Sequence, residues 1–223
     1  MRLITIQIAL FSTNLISRPD LLLTEINKNL GNIFDAMPTV LNLPLDVPVE
    51  IPLVQAKSIS DEFALNISRN RIDFIINHSF ENNVMPSDAL KNYKLLIKKY
   101  CKTVIESNEL NRIGVILTLF KEIKENVKAI NDRYLKDDFV SGTTESSIRI
   151  NIQQLSKGTV INNVKDVRAD VLTVKNVPHS GVVVVFDTNN APEAGKNIDV
   201  ERINDILKRA TAKITSDKVK ELI

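Results

Sequence analysis

Three residues in the second half of the chain have types and positions that suit ligand binding. Arg112 leads into an apolar run, where its guanidinium could form an ion pair or bind an anion. Gly114 follows within that run, and a glycine in a strand lets another backbone or a ligand come close, although a bulge with an edge arginine is the simpler interpretation of this pair. Asp187 follows the apolar segment 182–186, a position from which carboxylates often face a ligand or metal. Residues 187–190 can also form a turn in which Asp187 bonds its own backbone, and we favour the turn.

A row of lysines on a predicted helix offers a second chemistry. It consists of Lys91, Lys94, Lys98 and Lys102. These side chains could meet the phosphates of a nucleic acid or an acidic protein, although a solvated helix face is the commoner outcome. His179 and His78 each precede a serine, but neither has a second ligand at metal spacing, so we predict no metal site. Cys101 lies on the apolar side of the helix and is predicted to be an inert buried thiol.

The composition is that of an ordinary globular chain. It has 223 residues, a net charge of +2, 43% hydrophobic residues and one cysteine. A single cysteine cannot form an internal disulfide, which favours the cytoplasm, and no apolar run reaches the roughly 18 residues of a membrane span. Residues 194–196, with the sequence Ala-Gly-Lys, superficially resemble the end of a phosphate-binding loop. That motif needs a glycine at position 190, where this chain has Asn190, so no cofactor is predicted.

In the first half of the chain, hydrophobic periodicity predicts two helices and several strands. The predicted elements are a strand over 3–11, a helix from Ser17 to Met37, a proline-rich connector over 39–52 entering an edge strand at 49–55, a hairpin of 63–67 and 72–76, and a long helix over 86–106. Ser17 is the expected helix cap. Gly31 could mark close packing or an early helix end. Asn70, which tolerates positive φ, is expected in the hairpin turn.

The second half repeats a similar order around a central apolar strand over 110–120. After that strand the predicted elements are a helix over 121–135, a loop over 137–147, a strand over 148–153, weaker strands over 160–164 and 167–174, a strand over 181–187, and a final helix capped by Asp199. Successive hairpins predict an α+β fold, a largely antiparallel sheet with helices on one face. The repeated order indicates two related halves, 1–108 and 109–223, that share the sheet and count as one or two domains.

Several short motifs resemble one sporadically distributed, functionally uncharacterised prokaryotic family. They are residues 68–74, the helix around 93–100, Asn111-Arg112-Ile113-Gly114-Val115, and the strand 182–187 with the helix after it. That family has an Arg-Ile-Gly strand after an amphipathic helix, an earlier hairpin with a basic and apolar arm, and a late strand that ends in Asp. The resemblance implies a fold and carries no known activity.

These features favour a non-enzymatic protein-interaction or assembly subunit that binds another protein or itself. Catalytic constellations are missing from the sequence, whereas exposed strand edges offer surfaces for pairing. The alternative is a nucleic-acid or nucleotide-binding module that uses the lysine row. An enzyme using Asp187, His179 and Arg112 is the third hypothesis.

Overall fold

The computed structural model describes residues 1–44, 46–80, 85–135, 142–192, 197–215 and 219, which form nine strands and four helices. The strands are β1 (Arg2–Ser12), β2 (Thr39–Val40), β3 (Val54–Lys57), β4 (Phe63–Ile67), β5 (Arg71–Asn77), β6 (Leu110–Glu122), β7 (Ser147–Ser156), β8 (Thr159–Val174) and β9 (Val177–Asn190). The helices are α1 (Pro19–Asn29), α2 (Pro86–Ser107), α3 (Asn126–Tyr134) and α4 (Val200–Thr211).

All nine strands belong to one antiparallel sheet with the order β2-β3-β4-β5-β1-β6-β9-β8-β7. β1 and β6 lie side by side at its centre, where Ile8 pairs with Phe74 on one side and Val115 on the other. β6 also pairs with β9, placing Leu117 opposite Phe186. The segment predicted to be the central strand therefore has a neighbour on both sides.

One face of the sheet carries the core, and the helices pack on that face. Ile8, Phe74 and Val115 point to this face and are fully buried in one cluster with apolar residues of all four helices. Tyr100 of α2 packs on Phe74 at 5.1 Å between ring centroids and donates a hydrogen bond to the carbonyl of Ile72 at 2.9 Å. The predicted fold class, α+β with a largely antiparallel sheet, is confirmed.

The first helix is shorter than predicted. Its apolar spacing continues to Met37, but α1 ends at Asn29 because the backbone turns left-handed at Gly31 and Asn32, with φ of 83° and 58°. A glycine with positive φ just after the last turn is a common helix end. The early end indicated by Gly31 is therefore confirmed, and the longer helix was wrong.

Of the two predicted helix caps, Asp199 is confirmed and Ser17 is wrong. The side chain of Asp199 accepts a hydrogen bond from the backbone N–H of Arg202 at 2.7 Å and so caps α4, as predicted. Ser17 does not cap α1, because the helix starts one residue later than that cap requires. Arg18 precedes its first residue, Pro19, and no side chain bonds the free N–H groups there.

The edge strand predicted over 49–55 is wrong. β3 begins only at Val54 and is covered by the two-residue strand β2, whose Val40 pairs with Val54. Pro48 and Pro52 lack the N–H that a ladder needs, which keeps the preceding segment outside the sheet.

The hairpin of β4 and β5 is confirmed, with Ile67 opposite Ile72. Its turn includes Arg69 and Asn70, as predicted, although neither residue has a positive φ. The hydroxyl of Ser68 instead bonds the N–H and carbonyl of Arg71, both at 3.0 Å.

The helix predicted from residue 121 starts five residues late. Lys121 and Glu122 continue β6, because they pair with Val182 and Gly181 of β9, and α3 begins at Asn126. Ladder hydrogen bonds to a neighbouring strand here override the helical spacing of the apolar residues.

The strands on the other side of β6 are longer than predicted. The two weak candidates over 160–164 and 167–174 form the single strand β8, since Lys165 and Asp166 between them pair with Phe186 and Val185. Of the predicted loop over 137–147, residues 137–141 lie outside the described residues. β9 continues past residue 187 to Asn190, so the turn favoured for 187–190 is wrong.

The elements on the two sides of the centre follow a similar order. In each, a strand is followed by a helix, a meander whose last strand pairs back with the first, and another helix. β5 returns to β1 in this way, and β9 returns to β6. The division into 1–108 and 109–223 as related halves stays a prediction.

No helix in the described part of the chain combines the length and apolar character needed to cross a membrane.

Candidate functional site

The structure brings three of the sequence-predicted residues, Arg112, Gly114 and Asp187, to the helix-free face of the sheet. Arg112 and Gly114 are two positions apart on β6 and therefore point to the same side. A Cβ built on Gly114 would lie 3.7 Å from the Oδ1 of Asp187 and 3.7 Å from the Cβ of Asn189. These are ordinary contact distances, so the expected close approach of another backbone at Gly114 is not found. β6 is also a central strand, so Arg112 is not at a sheet edge.

Arg112 is held by a ring rather than by a carboxylate. Its guanidinium lies 4.9 Å from the ring centroid of Phe11, and the guanidinium of Arg71 lies 5.1 Å from that ring. Each such contact contributes about 0.5–1 kcal/mol at exposed sites. Arg71 also pairs with Asp73 at 2.8 Å, and Gln7 donates to that carboxylate at 2.9 Å. Arg71 and Asp73 therefore satisfy each other, whereas the buried Nε of Arg112 has no hydrogen-bond partner among the described residues. The ion pair suggested for Arg112 is not found there, and its role in binding an anion stays a prediction.

Asp187 terminates a row of side-chain hydrogen bonds across β7, β8 and β9, here called the amide ladder. Gln153 donates to Asn162 at 3.0 Å, Asn162 donates to Asn189 at 3.0 Å, and Asn189 donates to Asp187 at 2.9 Å. Asn162 and Asn189 each accept from one amide and donate to the next group, so the amide dipoles align toward the carboxylate of Asp187. Through this network the polar side chains of Asp187 and Asn189 have hydrogen-bond partners although β9 has a neighbouring strand on both sides.

His179 lies far from the other residues of the enzyme hypothesis. Its Nδ1 is 3.1 Å from the Oε1 of Glu122, and its ring packs on Phe80 at 4.9 Å between centroids. Eight positions of β9 separate it from Asp187, a distance of about 27 Å along an extended strand. The trio of Asp187, His179 and Arg112 is therefore not brought together. Among the described residues, no group of three or more His, Cys, Asp or Glu could hold a metal ion.

The sequence-predicted lysines lie on the opposite side of the molecule, in a groove between α2 and α4. Lys91, Lys94 and Lys98 line a part of about 660 Å³, and Lys98 and Lys102 line a second part of about 400 Å³. Both parts include Lys98 and Asn204, so we treat them as one feature, the lysine groove. From α4 the groove also receives Val200, Ile203, Leu207, Lys208 and Thr211.

The floor of the lysine groove is apolar. Leu90, Ile97 and Ile203 are buried beneath it, and Leu207 is partly exposed in its wall. Cys101 also lines it and is buried, as predicted. Burial raises the pKa of this thiol to about 12, so it stays protonated at neutral pH and is a poor nucleophile.

The rim of the lysine groove is basic. Lys91 pairs with Asp88 at 3.0 Å, and Lys102 lies 3.7 Å from Glu106. Lys94 and Lys98 have no carboxylate within 4 Å among the described residues, and Lys208 on the facing helix has none there either. Exposed amines thus surround an apolar surface, an arrangement that suits a ligand with both an apolar and an acidic side.

Sequence reasoning identified one wall of the groove and missed the other. Leu207 and Lys208 belong to a strongly amphipathic helix, and that pattern was visible in the sequence. The contact between α4 and α2 was not visible in the sequence. More than ninety residues separate the two helices, and they come together only when both pack on the folded sheet.

The chain matches no protein-family model, and no curated protein is similar to it. The resemblance of its short motifs to an uncharacterised prokaryotic family therefore stays a prediction.

Proposed function

We propose that this chain is a non-enzymatic protein-interaction subunit whose lysine groove receives an acidic amphipathic helix of a partner protein. The observation that carries the proposal is the combination of an apolar floor with a rim of exposed lysines on both helices. An amphipathic helix that lays its apolar face into such a groove is a recurrent mode of protein recognition.

The spacing of the lysines fits a helical partner. Lys91, Lys94, Lys98 and Lys102 run along α2 over eleven positions, or about 16 Å at the helical rise. A partner helix of about three turns spans the same length and can place leucines at helical spacing over Leu90 and Ile97. Glutamates flanking that stripe then face the lysines of α2 on one side and Lys208 on the other.

The positive charge on the rim of the lysine groove selects an acidic partner. Near the groove, Asp88 and Glu106 neutralise Lys91 and Lys102, which leaves Lys94, Lys98 and Lys208 as excess positive charge. An acidic helix is attracted to this rim and a basic helix is repelled by it, so electrostatics selects the partner while the floor supplies most of the affinity.

Fluorescence anisotropy with a labelled amphipathic peptide of about 18 residues, leucines on one face flanked by glutamates, tests the proposal. The double variant Lys94→Glu, Lys98→Glu replaces two attractions by two repulsions of about 0.2–1 kcal/mol each, about 0.8–4 kcal/mol in all, so affinity should fall by a factor of roughly 4 to 900. Lys99→Glu is the matched control, since Lys99 is exposed on α2 but does not line the groove. Equal weakening by both variants, or equal binding of a scrambled peptide, would refute the proposal.

Nucleic-acid binding is the second candidate, and the row of four lysines is the observation that favours it. An oligonucleotide would bind the rim through phosphates, so its affinity should fall steeply with salt. Leu207→Asp separates the two ligands. This change places a charge in the apolar wall, so it should abolish peptide binding and weaken oligonucleotide binding only slightly.

A reducing compartment such as the cytoplasm suits this function. The only cysteine is free and buried in the wall of the groove, where no disulfide supports it.

A further inference from the structure

β7 forms one outer edge of the sheet. It pairs with β8 over its full length, from Ser147 opposite Arg168 to Ser156 opposite Thr159, without a bulge. No other described strand pairs with its outer side. The opposite edge of the sheet is the two-residue strand β2. Only the β7 edge is therefore long enough to accept a full additional strand.

The β7 edge lacks the features that usually prevent pairing. It contains no proline and no lysine, and its only charged residue, Arg149, is directed to Asp166 of β8 at 3.6 Å. Ile150 and Ile152 are 45% and 57% exposed on the side of the sheet that carries the helices, and Leu155 is 76% exposed on the other side. A long, regular edge with exposed apolar side chains is a surface for strand addition.

The free backbone groups of β7 belong to its odd-numbered residues. The carbonyl of Ser146 accepts a hydrogen bond from the N–H of Ala169 at 3.0 Å, so even-numbered positions share their backbone bonds with β8. Backbone groups alternate in direction along an antiparallel strand, so positions 147, 149, 151, 153 and 155 direct their N–H and carbonyl groups away from the sheet.

We propose that β7 pairs antiparallel with β7 of a second copy of this chain, about a two-fold axis at Asn151. Such an axis, perpendicular to the sheet, places the helix-bearing faces of both copies on the same side. Odd-numbered residues of one β7 then lie opposite odd-numbered residues of the other, and even-numbered residues opposite even-numbered ones. Ile150 then faces Ile152 of the second copy, and the reverse, which brings four exposed isoleucines together on one side. Arg149 faces Gln153 rather than another arginine.

This register uses the whole edge. It pairs all five outward-facing residues, including Ser147 with Leu155, and forms about ten backbone hydrogen bonds. A register centred on Ile150 would pair only four of them and leave Leu155 without a partner. The strand thus complements itself in hydrogen bonds and apolar contacts and brings no like charges together, and for this reason the inferred partner is a second copy.

Sedimentation velocity of the full chain over a range of concentrations tests the dimer, and Asn151→Lys perturbs it. Two lysines then face each other across the axis, so the dimer dissociation constant should rise at least about tenfold. Gln55→Lys adds the same charge to an exposed position on the same face of the sheet near the opposite edge, and it should leave association unchanged. Circular dichroism verifies that both variants fold.

A chain that sediments as a monomer at every concentration, or a dimer insensitive to Asn151→Lys, would overturn the inference. Neither result bears on peptide binding by the lysine groove, which is measured separately.

Cross-linking with a short bismaleimide tests the register. Cys101 is buried, so a cysteine introduced on β7 is the accessible thiol. In the proposed dimer, the Cα atoms of two Asn151→Cys chains lie about 5.5 Å apart, whereas those of two Ser147→Cys chains are about 27 Å apart along the strands. Only Asn151→Cys should give a covalent dimer. Equal cross-linking of both variants, or failure of Asn151→Cys to cross-link, contradicts the proposed pairing.

Discussion

Replacing Gly181 by alanine should destabilise the protein strongly, whereas the same change at Gly114 should not. A Cβ added at Gly181 would lie 2.4 Å from the backbone carbonyl oxygen of Lys121 and 2.4 Å from the Cζ of Phe120. Both distances are far below van der Waals contact. The oxygen belongs to the ladder that pairs β9 with β6, and Phe120 is fully buried, so the strand itself must move.

The expected cost follows from this crowding. Overpacking a close-packed site costs about 1–3 kcal/mol, and the upper value applies here because one of the obstructing atoms is backbone. For a chain of this length, about 3 kcal/mol lowers the melting temperature by roughly 6–12 °C. At Gly114 the nearest atoms are 3.6–3.7 Å from the added Cβ, so alanine fits. It should stabilise the fold by up to about 1 kcal/mol, because it restricts the unfolded chain.

Urea denaturation followed by circular dichroism measures both variants against the parent chain. The matched substitution at Gly114 controls for the general effect of removing a strand glycine. A Gly181→Ala variant whose free energy of unfolding lies within about 0.5 kcal/mol of the parent, or an equal loss of stability in both variants, would contradict this crowding.

Three further predictions concern two buried side chains and one partly buried side chain. Tyr100→Phe removes a hydrogen bond from a fully buried hydroxyl to the carbonyl of Ile72, so the free energy of unfolding should fall by about 1–2 kcal/mol in urea titrations; no change would contradict this. Cys101, whose pKa is raised to about 12 by burial, should react with maleimide at pH 8 at least about 100-fold more slowly in the folded chain than in urea, and rapid native labelling would refute its burial. Burial and the hydrogen bond to Glu62 raise the pKa of Tyr93 to about 12. The folded chain therefore holds this proton more tightly than the unfolded chain, so stability is lost as pH rises from about 10 to 12, and Tyr93→Phe should reduce that loss.

The sequence predicted best the elements whose periodicity is long and uninterrupted. Ile113, Val115 and Leu117 alternate without a break, and β6 follows them closely. The pattern of α2 extends over 22 residues, and both of its ends were close to those predicted. Over such lengths the burial of one face outweighs local preferences, so the pattern alone is sufficient.

Polar residues inside strands were the main source of error. Asp187, Asn189 and Asn190 have turn-forming side chains, yet all three lie in β9. Asn190 bonds the N–H of Ile113 at 2.8 Å, and Asn189 bonds Asn162 of β8, so their amides are satisfied by neighbouring strands. Which strand becomes a neighbour is decided by the whole sheet and cannot be obtained from local sequence.

The roles of glycines and lysines depended on the same long-range pairing. Gly114 was expected to permit a close approach, but the crowded position is Gly181, which faces the ring of Phe120. The lysine row was visible on α2, whereas the facing wall of the lysine groove required α4. Local spacing identified residues worth attention, and tertiary contacts decided what each of them does.

The central position of β1 also constrains how the protein folds during translation. β1 leaves the ribosome before β5 and β6, the strands between which it lies, and β6 ends 110 residues after β1. Until β6 emerges, the edge of β1 that pairs with β6 stays exposed in the nascent chain. Because β1 is rich in isoleucine and leucine, this unpaired edge favours aggregation. A nascent chain stalled before residue 110 should therefore be a better substrate for chaperones than the completed protein.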